Sequence, residues 1–295
     1  MKKIAFAGLG AMGLPMVRNL LAKGFEVRGH DTSKKALDAC EAAGGQVFAS
    51  AAEAAADADV LILMVVNAAQ AEAVLFDGGA VGALPEKAIV CLMATCPPGA
   101  VEQIAERVLA AGRRFVDAPV SGGTAGAKSG SLTVMAAAPR ATFDHVKPVF
   151  DAIGQRIFHV GEKYGQGAMF KTVNQLLCGV HIAVTAEAFA LAAKVGVDMN
   201  ILLDIMSGSS ASSWMLKDRG PRMLELDPEV TSAVDIFVKD LGIVLEAGKE
   251  KKAALPIAAV AHQMFLAASG RGEGPADDSQ VIRSYYAVNG MRGAA

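Results

Sequence analysis

The chain has 295 residues, enough for about two domains of ordinary size, each able to bury its own core. Its 28 lysines and arginines nearly balance its 30 aspartates and glutamates. Such a balance supplies no basic field that could hold a nucleic-acid backbone or an anionic membrane surface. We therefore expect a small-molecule partner, no nucleic acid and no membrane.

Nothing in the composition indicates export. The apolar stretch after Lys2 and Lys3 is short and broken by glycines, and no small-residue cleavage site follows it. The longest apolar runs, such as VLILMVV at 60–66, are shorter than the roughly 20 residues that span a bilayer. The four cysteines form no C-x-x-C pair, and the histidines lack metal-ligand spacing. We expect a cytoplasmic protein without a metal site.

The first 160 or so residues alternate short apolar runs with longer periodic ones, as strand–helix units around a parallel sheet do. The first helix is predicted to end at Gly24 and a later one at Gly112, both typical positions for a C-terminal glycine cap. In chain order, strands are predicted at 3–9, 25–31, 59–65, 88–93, 113–119, 131–137 and 153–159. This pattern predicts an α/β Rossmann N-terminal domain over residues 1–162.

After about residue 162 the apolar residues recur every three or four positions, which predicts an all-α C-terminal domain over residues 163–295. The stretch 163–196 predicts one helix of about thirty residues. It is too polar for a membrane span, yet apolar enough to be buried on most sides. The segment GRGEGPADDSQ, residues 270–280, is predicted to be a flexible loop.

The hexapeptide GLGAMG, residues 8–13, directly follows the first predicted strand and opens a helix. In a G-x-G-x-x-G turn, the first glycine allows the tight turn, the second lets the backbone approach a pyrophosphate, and the third allows close packing. The diphosphate then lies on free N–H groups at the helix N-terminus. The predicted cofactor-binding residues of this turn are Gly8, Leu9, Gly10, Ala11, Met12 and Gly13.

Asp31 supports this interpretation and bears on the choice of cofactor. It lies 18 residues after Gly13, at the end of the second predicted strand, where a carboxylate can accept hydrogen bonds from the adenine-side ribose. A carboxylate repels a 2′-phosphate, and threonine and serine follow it instead of arginine, so NAD is favoured over NADP. Lys34 and Lys35 leave NADP open, because either side chain could reach a phosphate.

A second glycine-rich stretch, DAPVSGGTAGAKSGSLTVM at 117–135, follows a predicted strand. Its consecutive Ser121, Gly122 and Gly123 can point backbone N–H groups and a hydroxyl at one small anion, such as a carboxylate. From composition alone, a flexible surface loop is an equally good interpretation.

Lys171 lies in an otherwise apolar run, GQGAMFKTVNQLLCGV at 165–180. On a helix, Asn174 and Gln175 follow it by three and four residues, so the amine and two amides share one face and can surround a single substrate hydroxyl. The alternative is a structural lysine whose ammonium reaches solvent along the helix surface.

Three stretches, GLGAMGLPM, DAPVSGGTAGAKSGSL and GQGAMFKTVNQ, occur in an order and spacing that resemble the β-hydroxyacid dehydrogenase family. The resemblance covers nearly the whole chain, including FVKDLGIVLEAGKEKKAALPIAA at 237–259. It implies a site in a cleft between two domains and a homodimer or homotetramer whose helical domains make the contacts. The implied roles are Lys171 as catalytic residue, Asn174 and Ser121 to Gly123 as substrate-binding residues, and Thr95 and Lys239 as cofactor-binding residues.

The stretches LMVVNAAQAE at 63–72 and GVDMNILLDIMSGSSASSWM at 196–215 resemble L-threonate dehydrogenases most within that family. This resemblance implies NAD-dependent oxidation of L-threonate to its 2-oxo acid. The proton of the substrate hydroxyl would pass to a neutral Lys171 amine. A free lysine has a pKa of about 10.4, so this role requires burial to lower the pKa. One departure is Ala94, where family members often carry serine before the threonine at 95. The alternatives are an NADPH-dependent semialdehyde reductase and a non-catalytic nucleotide-binding scaffold.

Overall fold

A computed structural model describes residues 2–291. Its N-terminal part contains one nine-stranded sheet, and all seven predicted strands are present; six are slightly shorter than predicted, and the last extends two residues further. The two strands that the sequence did not predict, β3 and β7, have only two residues each. The strands are β1 Lys3–Ala7, β2 Glu26–His30, β3 Gln46–Val47, β4 Val60–Leu63, β5 Ile89–Leu92, β6 Arg114–Asp117, β7 Val120–Ser121, β8 Leu132–Ala137 and β9 Gly154–Gly161.

The strand order is β3-β2-β1-β4-β5-β6-β8-β7, and β9 pairs with β8. Neighbours from β3 to β6 are parallel, whereas β8 is antiparallel to β6 and β7. Because β1 lies between β2 and β4, the chain reverses its direction of sheet growth there, which opens a crevice at the carboxyl ends of β1 and β4. The α/β Rossmann prediction for the N-terminal domain is confirmed.

Alternate residues of the central strands contribute to two separate apolar clusters, as expected for a sheet covered on both faces. Ile4 and Phe6 belong to one cluster, and Ala5 and Ala7 belong to the other. The helices of this part are α1 Gly13–Ala22, α2 Lys34–Ala42, α3 Ala51–Ala55, α4 Ala68–Glu72, α5 Ala80–Ala83, α6 Pro98–Ala110, α7 Gly123–Ser129 and α8 Arg140–Ile153.

The remainder of the described chain, up to residue 291, is helical, as predicted, and has an apolar cluster of its own. The protein forms two compact units, and the division between them falls between Lys171 and Thr172, inside a long helix. The helices are α9 Gln166–Val195, α10 Met199–Gly208, α11 Trp214–Met223, α12 Val234–Glu250, α13 Pro256–Ala268 and α14 Ile282–Val288.

Helix α9 has 30 residues, the length predicted from the sequence. The prediction that it is too polar for a membrane span is wrong, because by length and composition alone it is apolar enough to cross a membrane, a test that the core helix of a soluble protein also passes. Lys171, Thr172 and Gln175 on this helix are buried. The cytoplasmic location remains a prediction.

The prediction of a flexible loop at 270–280 is wrong. Asp277, Asp278 and Ser279 in this segment are 1% exposed or less, and a short 3-10 helix runs over Asp278–Val281. Arg219 of α11 donates two hydrogen bonds of 2.9 Å to the carboxylate of Asp278. The sequence suggested a loop because the segment itself is rich in glycine and charged residues. The residue that orders it, Arg219, lies 59 residues away from Asp278 in sequence.

Candidate functional site

The GLGAMG turn lies at the carboxyl end of β1 and requires glycine at two of its positions. Gly8 has a φ of +96°, and a Cβ there would lie 2.4 Å from the carbonyl oxygen of Met64. A Cβ on Gly13 would lie 1.9 Å from the carbonyl oxygen of Gly8. A Cβ on Gly10, by contrast, would meet no protein atom within 4 Å, so the backbone there faces open space. This is the side on which a ligand could approach.

The N-terminus of α1 is suited to an anion. Met12 at its N-cap makes no side-chain capping hydrogen bond, and the first turn contains no acidic residue. The first N–H groups of a helix have no partner within the helix and carry partial positive charge. The exposed Ala11 and the half-buried Met12 border these groups, while Leu9 is buried in the core. The turn therefore fits the diphosphate of a dinucleotide.

Asp31 follows β2 directly and is tied to the same turn. Its Oδ2 accepts a hydrogen bond of 2.6 Å from the backbone N–H of Leu9, and its Oδ1 accepts one of 2.8 Å from the N–H of Ser33. The carboxylate is half-buried, so its remaining lone pairs can accept from ribose hydroxyls. The structure thus brings together the glycine turn and Asp31, as the sequence predicted.

The predicted anion-binding residues lie in an ordered segment, not a loose loop. Ser121 belongs to β7 and pairs with Thr133 of β8, and Gly123 begins α7. Gly122 and Gly123 have φ values of +125° and +59°, a conformation that favours glycine. A Cβ on Gly122 would also lie 3.3 Å from a methyl group of Leu132. All three residues are half-buried, so their backbone remains partly open to solvent.

Lys171 is 7% exposed on α9, so it is not a surface lysine that merely reaches into water. Asn174 and Gln175 follow on the same helix, and the amide of Asn174 donates to Oε1 of Gln175 at 2.9 Å and to Sγ of Cys178 at 3.3 Å. The spacing of these four residues places them on one side of the helix. The side chain of Asn174 is half-buried and lies at the edge of this polar face.

A buried carboxylate in α12 continues this polar group. Asp240 is 2% exposed, accepts a hydrogen bond from Nε2 of Gln175, and pairs with the ammonium of Lys239. Both ends of the Gln175 amide are therefore held by protein partners. Lys239 and Gln175 are joined through Asp240, which lies 65 residues from Gln175 in sequence.

Thr95 lies three residues beyond the end of β5 and is half-buried, next to the buried Ala94. It follows the carboxyl end of a strand that pairs with β4, on the side of the sheet where β1 gives way to the glycine turn. In residues 2–291, no group of three or more histidine, cysteine, aspartate or glutamate side chains is placed to hold a metal ion.

Sequence reasoning missed Asp117, the last residue of β6. It is buried and accepts a hydrogen bond of 2.9 Å from the backbone N–H of Ala168 in the first turn of α9. A signal was present, because an aspartate ending an apolar strand, RRFVDAP, can be buried only with polar partners.

Two family models match the chain. The family described as the NAD binding domain of 6-phosphogluconate dehydrogenase matches residues 3–161, and the family described as NAD-binding of NADP-dependent 3-hydroxyisobutyrate dehydrogenase matches residues 165–285. Together they cover both compact units.

Individual proteins match over the full length. The chain is 44% identical over 288 residues to the L-threonate dehydrogenase of Cupriavidus necator, and the match covers 97% of each chain. It is 33% identical over 299 residues to the NAD-dependent L-serine dehydrogenase of Pseudomonas aeruginosa, covering 99% of this chain and 100% of that one. The crystal structure of 3-hydroxyisobutyrate dehydrogenase from Salmonella typhimurium matches with a TM-score of 0.92 and 38% identity, covering 96% of this chain and 99% of that one.

Proposed function

The chain belongs to the β-hydroxyacid dehydrogenase family, the NAD-binding oxidoreductases of the 3-hydroxyisobutyrate dehydrogenase type that act on CH–OH groups, and we propose that its substrate is L-threonate. In this proposal L-threonate is oxidised to its 2-oxo acid with NAD, and Lys171 is the general base. The observation that carries the choice of substrate is the 44% identity with an L-threonate dehydrogenase over 97% of both chains. The relative that acts on L-serine is less similar, at 33%.

The choice of NAD over NADP rests on Asp31. Its carboxylate is held in place by the N–H groups of Leu9 and Ser33, so the negative charge cannot easily turn away from a 2′-phosphate. Lys34, which could have offset that charge, pairs with Asp38 at 2.8 Å. The pair is exposed and therefore weak, so Asp31 carries the argument.

We place the cofactor on the GLGAMG turn and Asp31, with Thr95 and Lys239 as further contacts. Bound NAD would supply, in its nicotinamide ring, the acceptor for the hydride that leaves the carbinol carbon. The protein must then take the hydroxyl proton, and the Nζ atom of Lys171 is the group we assign to it. A buried amine is suited to this task, because burial favours the neutral form that can accept a proton. In the reverse direction, the ammonium returns the proton to the carbonyl oxygen.

Other side chains would orient the substrate. We assign the carboxylate of the hydroxy acid to Ser121, Gly122 and Gly123, whose partly open backbone can donate N–H groups. Asn174 would hold the substrate hydroxyl beside Lys171. Gln175, whose amide is held by Asn174 and Asp240, would keep Asn174 in position instead of binding the substrate through free groups.

We also propose that two copies of the chain associate through α9. Along one side of this helix, away from Lys171, large apolar side chains are more than half exposed, a surface that is costly to leave in water. These residues are Phe170, Val173, Leu177, Val184, Leu191 and Val195. Light scattering of the protein and of a Leu191→Glu variant tests this proposal, which expects the variant to dissociate into monomers.

The substrate is tested by following NADH formation with L-threonate, D-threonate, erythronate, glycerate, L-serine and 3-hydroxyisobutyrate, each with NAD and with NADP. The proposal expects L-threonate with NAD to give the largest kcat/KM. A larger kcat/KM for any other acid would refute the substrate. Silence with every acid, together with reduction of a semialdehyde by NADPH, would favour the semialdehyde reductase.

A further inference from the structure

Asp117 has a setting that neither cofactor binding nor substrate binding requires. It ends β6, only four residues before Ser121, and is 1% exposed. Burying a carboxyl group costs free energy unless hydrogen-bond donors replace the lost water. The donors that surround it therefore indicate what the residue does.

Those donors come from the first turn of α9 and from Gly165, the residue just before it. The backbone N–H of Ala168 donates to Oδ2 of Asp117 at 2.9 Å, and the N–H groups of Gly165 and Gly167 also hydrogen-bond to this carboxyl group. The first N–H groups of a helix lack partners within the helix, so a carboxylate in this place completes the first turn and is attracted by its partial positive charge. Asp117 thus links the end of β6 to the helix that carries Lys171.

At Gly167, helix α9 lies so close to the sheet that no residue with a side chain fits there. A Cβ on Gly167 would lie 2.6 Å from the carbonyl oxygens of both Asp117 and Met135, and 2.9 Å from Cγ of Asp117. The first turn of α9 therefore lies directly against the end of β6 and against Met135 of β8. Its place is fixed by this backbone contact and by the hydrogen bonds to the Asp117 carboxyl group.

We propose that Asp117 is a positioning residue of the dehydrogenase, whose carboxyl group fixes the first turn of α9 and thereby the place of the Lys171 amine about one turn further on. This inference rests on the proposed role of Lys171. Asp117 would not touch the substrate, because its carboxyl oxygens face backbone N–H groups. It would act on the rate through the position of Lys171, and a small displacement of a catalytic group can be costly.

The pKa of Asp117 gives this proposal a distinctive pH dependence. Burial raises the pKa of Asp117 to about 7, the three N–H groups oppose this rise, and the nearby Glu102 of α6 adds to it. The ionised carboxylate is the stronger acceptor for the helix N–H groups. The anchor should therefore strengthen as the pH rises through neutrality, and kcat should show an inflection there that depends on Asp117.

The test is a double-mutant cycle between Asp117 and Lys171. Asp117→Ala should lower kcat for hydroxy-acid oxidation by about 100-fold, while the dissociation constant of NAD changes by less than about twofold. Asp117→Asn retains one acceptor oxygen, so it should recover part of that loss but show no inflection of kcat near pH 7. In a Lys171→Ala background, neither substitution should lower the residual rate further, because the two residues act on one step.

Glu102→Gln is the matched control. Glu102 is exposed, yet its carboxylate lies at the same helix end, because a Cβ on Gly165 would be 2.8 Å from its Oε1. It should change kcat by less than about twofold, since exposed charges contribute little. Hydrogen exchange at the Ala168 amide should quicken in the Asp117 variants and not in the control.

Three results would overturn the inference. One is a folded Asp117→Ala variant that keeps kcat within about threefold of the wild type. Another is an equal loss in the wild-type and Lys171→Ala backgrounds, which would show that Asp117 does not act through Lys171. The third is slower turnover without faster exchange at Ala168. Should the alanine variant fail to fold, Asp117→Asn completes the same cycle. If Lys171→Ala alone stays active, the proposed general base has failed, whatever Asp117 does.

Discussion

The glycine turn after β1 and the polar face of α9 are the two regions that matter for chemistry, and they are specified differently. In the turn, one decisive contact joins close neighbours, because a Cβ on Gly13 would lie 1.9 Å from the carbonyl oxygen of Gly8, five residues earlier. On α9, the decisive contacts are distant in sequence: Ala168 binds Asp117 across 51 residues, and Gln175 binds Asp240 across 65.

This difference between local and long-range contacts determines which part of a site can be predicted from a single sequence. A turn built from glycines has one backbone solution, so its spacing predicts both its shape and its ligand. The position of α9, which carries the proposed base Lys171, depends instead on side chains that lie far away in the sequence. Lys171 could be picked out by its apolar surroundings, whereas the carboxylates that hold its helix in place could not be assigned to it.

The largest expected effect is that of Lys171→Ala, which should lower kcat by about 10²- to 10⁴-fold, because in the proposed mechanism the Lys171 amine takes the hydroxyl proton. Affinity for NAD should remain nearly unchanged, since the glycine turn is untouched. Stopped-flow turnover and calorimetric titration with NAD measure the two quantities. This outcome would separate the two regions by function.

Lys163→Ala is the control for this experiment, because Lys163 is exposed and lies just before α9. It should turn over like the wild type. If Lys171→Ala keeps turnover within about tenfold of the wild type, the comparison breaks, because α9 would then carry no chemistry of its own.

The next largest effect concerns Arg219, whose two hydrogen bonds to Asp278 order the segment that the sequence suggested was flexible. Arg219→Ala leaves the buried Asp278 carboxylate without its main partner and should lower the free energy of unfolding by about 3–5 kcal/mol. Urea denaturation measures the change. It would show that long-range charge pairs also determine the structure of the helical unit.

Arg271→Ala serves as the control in the same segment, since Arg271 is exposed and its hydrogen bonds go to Glu273 at 2.7 Å and to the hydroxyl of Ser284 at 2.9 Å. Its loss should cost about 0–1 kcal/mol. A loss for Arg219→Ala as small as that for Arg271→Ala would mean that the hydrogen bonds from Arg219 to Asp278 do not stabilise the segment.

The strands, the glycine turn, the length of α9 and the family could all be predicted, because apolar periodicity and glycine spacing are local signals. The ordered segment at 270–280 was missed, as were Asp117 and the connection from Gln175 to Asp240. Each depends on a buried carboxylate whose partner lies far along the chain. The sequence shows that such a carboxylate exists, but only the three-dimensional structure shows that it is buried beside a distant hydrogen-bond donor.

Substitutions of two glycines in the GLGAMG turn, Gly10 and Gly13, should have smaller effects that differ from each other in kind. Gly13→Ala places a methyl group 1.9 Å from the carbonyl oxygen of Gly8 and should destabilise the fold by about 1–3 kcal/mol. Gly10→Ala meets no protein atom within 4 Å, so it should leave stability unchanged and weaken NAD binding. Thermal unfolding and calorimetric NAD titration distinguish the two. Unchanged NAD affinity in Gly10→Ala would place the diphosphate elsewhere.

The smallest effect tests whether Asp31 sets the choice of cofactor from within this turn. Asp31→Asn keeps an acceptor for the Leu9 N–H, which the carboxylate binds at 2.6 Å, but removes the charge that repels a 2′-phosphate. The ratio of kcat/KM for NADP to that for NAD should rise about tenfold, equivalent to about 1.4 kcal/mol. Asp38→Asn, which frees the exposed Lys34, is the control and should leave the ratio nearly unchanged. If this ratio rises more in Asp38→Asn than in Asp31→Asn, Lys34 and not Asp31 determines the choice of cofactor. The turn would then determine only where the diphosphate binds.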